Sequence, residues 1–168
     1  MKRILIIGSN GAGKSTFARE LFRKTAIPVT HLDRLYWCDD WQVVPYEQFL
    51  DRVDCVIASS AWIIDGNNLR SLERRLEKAD TLFWLEIPPI ICLWNVIIRE
   101  LRHRGSARPD MPESCISRID PSFLKVVWQF NRKNRHKIRE LLAQYPQVRV
   151  YHFRNYRQIR RFLHNEEV

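Results

Sequence analysis

Residues 8 to 15 read Gly8-Ser9-Asn10-Gly11-Ala12-Gly13-Lys14-Ser15, three glycines, an ammonium and a hydroxyl in the order G-x-x-x-x-G-K-[ST]. These types at this spacing suit the capture of a polyanion. Glycines allow backbone conformations and close approaches that a side chain would block, so main-chain N–H groups can converge on phosphate oxygens. Lys14 is placed to reach the β- and γ-phosphates of a nucleoside triphosphate, and the Ser15 hydroxyl to ligate Mg²⁺. The candidate nucleotide-binding set is therefore Gly8, Ser9, Asn10, Gly11, Ala12, Gly13, Lys14 and Ser15, with Thr16 following, and Lys14 is also a catalytic candidate. The alternative is an ordinary glycine-rich turn.

Such a loop works only if a strand delivers it and a helix leaves it, so that the helix N-terminus adds its own amides to the site. Ile4, Leu5, Ile6 and Ile7 form an aliphatic run suited to a strand buried on both faces, while Phe17 with Leu21 and Ala18 with Phe22 repeat at helical spacing. Extended and helical patterns go on alternating, as in βαβ units around a parallel sheet. The expected strands are Arg3 to Ile7, Val29 to Leu32, Trp62 to Asp65, Thr81 to Glu86 and Val148 to Phe153. Asp120 followed by Pro121 reads as a helix start, and Leu124, Val127, Trp128, Ile138, Leu141 and Leu142 as an apolar stripe along the long helix that follows. The stretch from His103 to Glu113 holds Gly105, Pro109 and Pro112 and reads as a basic flap between helices.

Further candidates fall at strand ends. Ala61-Trp62-Ile63-Ile64-Asp65 puts a carboxylate at the carboxyl edge of the sheet, where α/β folds bind ligands, so Asp65 joins Ser15 as a candidate for the Mg²⁺ shell. Its alternative is a turn or capping aspartate. Gly66 and Asn67 follow where many motor-like ATPases place a glutamate to orient water, which favours transfer to an acceptor over hydrolysis. A closing flap suits transfer, and Arg99, Arg102, Arg104 and Arg108 lie in or beside it; the first three are taken as catalytic candidates toward the developing phosphoryl charge. Asp33 and Arg34 emerge just past the second strand. There Asp33 can take or orient a hydroxyl proton, and Arg34 or Arg70 can meet an anionic acceptor. Arg135 interrupts the stripe of the long helix and either contacts a phosphate or snorkels outward on a solvated basic face. Trp37 and Trp41 either stack on a base or cover core.

Composition narrows the class. The chain has 168 residues, 45% of them hydrophobic, enough for one sizeable core, and the expectation is one domain over residues 1–168. The apolar stretches are too short to cross a bilayer, no export signal opens the chain, and four cysteines without a Cys-x-x-Cys pair fit a reducing cytoplasm. Lys plus Arg number 28 against 19 Asp plus Glu, a net charge of +9 that calls for an anionic partner.

Taken in order, the loop, Asp33-Arg34, Asp65-Gly66, Leu85-Glu86-Ile87-Pro88 and the arginine-rich flap make the chain resemble the adenylate kinase-like branch of P-loop kinases almost end to end. More closely, it is similar to the family named for DNA topology modulation, through His31-Leu32-Asp33 with Tyr36-Trp37, Ile63-Ile64-Asp65-Gly66-Asn67, and Arg108-Pro109-Asp110-Met111. The resemblance implies an α/β, three-layer P-loop NTPase fold with a five-stranded parallel sheet in the order 2-3-1-4-5 and helices on both faces. It also implies an acceptor-binding region over residues 33–60 and a short lid over residues 99–113. Adenylate kinases carry Gly-Phe-Pro-Arg after the third-strand aspartate, whereas here Gly66-Asn67-Asn68-Leu69-Arg70 lacks the proline and displaces the arginine, which weakens AMP as the acceptor.

Two functions compete. One is an ATP- and Mg²⁺-dependent kinase acting on a nucleoside, nucleotide or similar small metabolite. The other is a nucleotide-regulated DNA-binding protein whose basic patches at Arg99 to Arg108, Arg132 to Arg139 and Arg154 to Arg161 lie on phosphates; against it, no added helix-turn-helix or zinc module is evident. A bare nucleotide-binding scaffold without turnover is a third.

Overall fold

The computed structural model describes residues 1–38, 41–102 and 120–165. Five strands, β1 (Arg3–Gly8), β2 (Val29–His31), β3 (Trp62–Asp65), β4 (Thr81–Leu85) and β5 (Arg149–Phe153), form one sheet in the order β2-β3-β1-β4-β5. Every pairing is parallel. The helices are α1 (Lys14–Thr25), α2 (Leu32–Tyr36), α3 (Tyr46–Ile57), α4 (Leu72–Leu76), α5 (Pro89–Arg102), α6 (Pro121–Ala143) and α7 (Tyr156–Asn165).

The two-residue repeat of a strand explains why the first strand is aliphatic throughout. Ile4 and Ile6 join a core with Phe17 and Leu21 of α1, Cys92 and Val96 of α5, and Ile159 and Phe162 of α7. Leu5 and Ile7 point the other way and meet Phe49 and Val53 of α3, Leu72 and Leu76 of α4, and Ile138 of α6. All four are fully buried. Parallel strands bring their carboxyl ends to one edge, so the ends of β1, β2 and β3 deliver Gly8, His31 and Asp65 side by side.

Several sequence expectations shift, among them the end of β1, which reaches Gly8, and the start of β5, which is Arg149. Leu32 opens α2 instead of closing β2, and Glu86 lies just past β4, its amide held by the Phe153 carbonyl at 2.8 Å. In α6, Trp128 is 53% exposed, while Phe130 and Asn131 are buried beside Val127 and Ile138. One helical step of 100° separates positions 127 and 128, and the inward face follows 127, 131 and 138. Asn131 belongs to that face because its amide donates to the Ile87 carbonyl at 2.9 Å. The N-cap at Asp120 is as expected, its side chain accepting from the Ser122 amide.

Candidate active site

The loop between β1 and α1 is a tightly braced piece of backbone. Gly11 has φ +79°, and a Cβ there would lie 2.2 Å from the Cys92 carbonyl oxygen of α5; at Gly8 a Cβ would lie 2.4 Å from that of Leu85. No other residue fits either place without moving β4 or α5. Polar contacts complete the brace. The Gly11 carbonyl accepts from Asn95 Nδ2 at 2.8 Å and from the Tyr156 hydroxyl at 3.3 Å, and Asn95 also donates to that hydroxyl at 2.8 Å. On the opposite flank, the Gly8 amide donates to Asn67 Oδ1 at 2.9 Å. Asn67 is itself carried by a turn fastened from below: fully buried Arg75 donates to the carbonyls of Asn68 at 2.7 Å and Ser71 at 3.2 Å. Burial pushes that guanidinium down to about 9.

Helix α1 starts from Gly13, which has no side chain with which to cap the first-turn amides, and its first turn carries no acidic residue. Those amides and the helix dipole face outward as an anion-binding end. Lys14 lies beside them, its Nζ donating to the Ser9 carbonyl at 3.1 Å. Burial pushes its ammonium below the ordinary value of 10.5 and Arg99 adds to this, while the Asp65 and Asp33 carboxylates pull the other way. Lys14, Ser15, Thr16, Asn10, Gly11 and Gly13 line a cleft of about 1190 Å³ together with Asp33, Asp65, Arg99 and Arg102. Ser9, by contrast, is buried, and its hydroxyl donates to the Val127 carbonyl at 3.3 Å; Ala12 is fully buried in the core.

Asp65 is the buried carboxylate of this cleft. Its Oδ1 takes a hydrogen bond from His31 Nδ1 at 2.8 Å, while Oδ2 is buried with no donor among the described residues. An orphaned carboxylate oxygen beside the anion-binding loop and the Ser15 hydroxyl fits a cation held jointly with phosphate oxygens. The described residues contain no cluster of three or more His, Cys, Asp or Glu able to hold a metal alone.

The structure separates the arginines that the sequence grouped. Arg99 and Arg102, at the end of α5, line the cleft, as do Arg160 of α7, which the sequence reading held only within the basic patch Arg154 to Arg161, and Arg19 of α1, which it did not single out. Arg34 and Arg135 are not among the lining residues. The anion beside Arg135 is Glu86, a buried carboxylate that accepts from Arg135 Nε and from His152 Nε2. Arg70 lines a different groove with Asp54 and Glu73, its guanidinium 3.9 Å above the Tyr46 ring. Trp37 and Trp41 pack edge-on at 5.5 Å outside the cleft; the tryptophan that lines it is Trp94, 65% exposed. Arg104, Arg108 and residues 103–113 of the expected lid lie outside the described residues.

Tyr156 and Asn95 are braces that sequence reasoning passed over, whereas His31 and Asn67 stood in its motifs without a bracing role. One signal was available for Tyr156, which opens the helix after a strand and so must lie at the ligand edge. Asn95 had none, because its role depends on how α5 packs.

No protein-family model matches the chain, and neither does any curated protein. Solved structures do resemble it. Shikimate kinase from Bacteroides thetaiotaomicron superposes with a TM-score of 0.54 at 18% identity, over 97% of this chain and 94% of that one. A candidate kinase from Chloroflexus aurantiacus superposes with a TM-score of 0.51 at 14% identity, over 77% of this chain and 80% of that one. The fold is the expected P-loop α/β fold, a five-stranded parallel sheet in the order 2-3-1-4-5 with helices around it, which the chain shares with shikimate kinase. Identities this low carry the fold alone.

Proposed function

We propose that the protein is a phosphotransferase that takes the terminal phosphoryl group of Mg²⁺-bound ATP and passes it to a small acceptor. The observation that carries this reading is the convergence of the Gly13–Lys14 helix end, the Ser15 hydroxyl, the half-satisfied Asp65 carboxylate and Asp33 on one cleft. The loop amides and Lys14 bind and orient the polyphosphate, with Ser15 and Asp65 holding Mg²⁺. When bound, that ion neutralises charge on the phosphate oxygens. Asp33, carried on α2 and lining the same cleft, orients the acceptor or takes its hydroxyl proton. Arg99 and Arg102 meet the charge that builds on the phosphoryl oxygens.

The acceptor region is taken as residues 33–60, which cover most of α2, all of α3 and the segment between them. The absence of a glutamate beside Asp65, with Asn67 committed to the Gly8 amide, supports transfer over hydrolysis. His31, Asp65, Gly66 and Asn67 belong to the motifs shared with the family named for DNA topology modulation, so the finer resemblance falls on the braced edge of the cleft. Incubation with γ-labelled ATP and a panel of nucleosides, nucleotides and sugars tests the reading: label transferred to one acceptor class supports it. Release of inorganic phosphate at the same rate with and without every acceptor overturns it.

A further inference from the structure

We propose that His31 is a positioning residue for the cation shell, dividing the two oxygens of Asp65 so that Oδ2 alone is left for a metal; the inference rests on the assignment of Asp65 to that shell. His31 closes β2, and the parallel register makes it the direct partner of Asp65 on β3. Side chains paired in this way leave the sheet on the same face. The contact is short, 2.8 Å from Nδ1 to Oδ1, and shielded, with the two side chains 18% and 6% exposed. A carboxylate terminus otherwise turns through a broad two-fold well, and a second oxygen can rotate into the place of the first. A ring N–H on Oδ1 removes that freedom. It leaves Oδ2, buried and without a donor among the described residues, as the oxygen with unused acceptor capacity. Second-sphere donors to metal-ligating groups act in this manner, fixing orientation without touching the ion.

The geometry also specifies which replacement works. Asparagine can set its amide N–H near the position of Nδ1, whereas glutamine reaches toward the position of Nε2, so His31→Asn keeps the donor to Oδ1 and His31→Gln and His31→Ala lose it. Calorimetric titration of the full chain with ATP, in MgCl₂ and in EDTA, isolates the gain in affinity that Mg²⁺ supplies. We expect that gain to fall about tenfold in His31→Ala and His31→Gln, with affinity for metal-free ATP unchanged and His31→Asn close to wild type. A wild-type Mg²⁺ gain in His31→Ala, or an asparagine variant no better than glutamine, overturns the inference. Should His31→Ala fail to fold, the Asn and Gln pair decides alone. Wild-type protein that shows no Mg²⁺ gain at all overturns instead the assignment of Asp65, and the His31 role with it.

Discussion

Lys14 carries a conflict: its ammonium donates to the Ser9 carbonyl of the glycine-rich loop but is held in surroundings that disfavour its charge. Because the folded pKa lies below the unfolded one, the residue opposes folding at neutral pH, and that cost shrinks as pH rises toward 10.5. Lys14→Met should therefore melt at the same temperature as wild type or higher, the difference narrowing with increasing pH in calorimetric scans, while phosphoryl transfer drops by about 10²–10³. A bound polyphosphate restores the charge, so nucleotide binding should take up protons on the alkaline side; titration in buffers of different ionisation enthalpy measures this uptake. Gly11 offers a stability test of the same loop. With φ at +79° and the Cys92 carbonyl oxygen 2.2 Å from where a methyl group would stand, Gly11→Ala should cost about 2–4 kcal/mol in urea unfolding. At this scale the sequence revealed the loop because its chemistry is local. It could not reveal His31 or Asn67 as braces, since both act across strand register, nor that Glu86 would meet Arg135.

Elements convert those residues into a cleft. Helices α5 and α7 meet the loop at one carbonyl, that of Gly11, through Asn95 and Tyr156. Tyr156→Phe and Asn95→Ala should each loosen nucleotide binding, and a double-mutant cycle in unfolding free energy should show about 0.5–1.5 kcal/mol of coupling, since the two side chains share a hydrogen bond. Additive effects would mean that the helices brace the loop independently. Strands were legible because aliphatic runs and turn residues mark them, and the five found in the structure match the five expected apart from their terminal residues. The long helix was legible in extent but not in facing: Trp128 reads as core by type, yet the inward face is set by a polar residue, Asn131, whose bond to Ile87 no periodicity announces.

At the scale of the whole molecule, the sheet order brings every ligand-edge group to one side, and the superposition on solved kinases follows from that arrangement. Helix α6 is tied to the same edge from behind through Glu86, which receives both Arg135 and His152. Both donors are partly exposed, so Glu86→Gln should lower stability by about 1–2 kcal/mol, less than a sealed ion pair would, as read from the urea midpoint. The alternation of extended and helical patterns made the α/β class readable. The strand order came from resemblance, because hydrophobic periodicity says which segments pair with the core but not which lies beside which.

The bridge from Tyr156 to Gly11 spans 145 positions of chain. During synthesis the glycine loop emerges from the ribosome long before the helix that steadies it, so a nascent chain carries the glycine-rich motif without the finished cleft. Competence to bind nucleotide should therefore arrive late and abruptly, when the segment beginning at Tyr156 becomes free to dock.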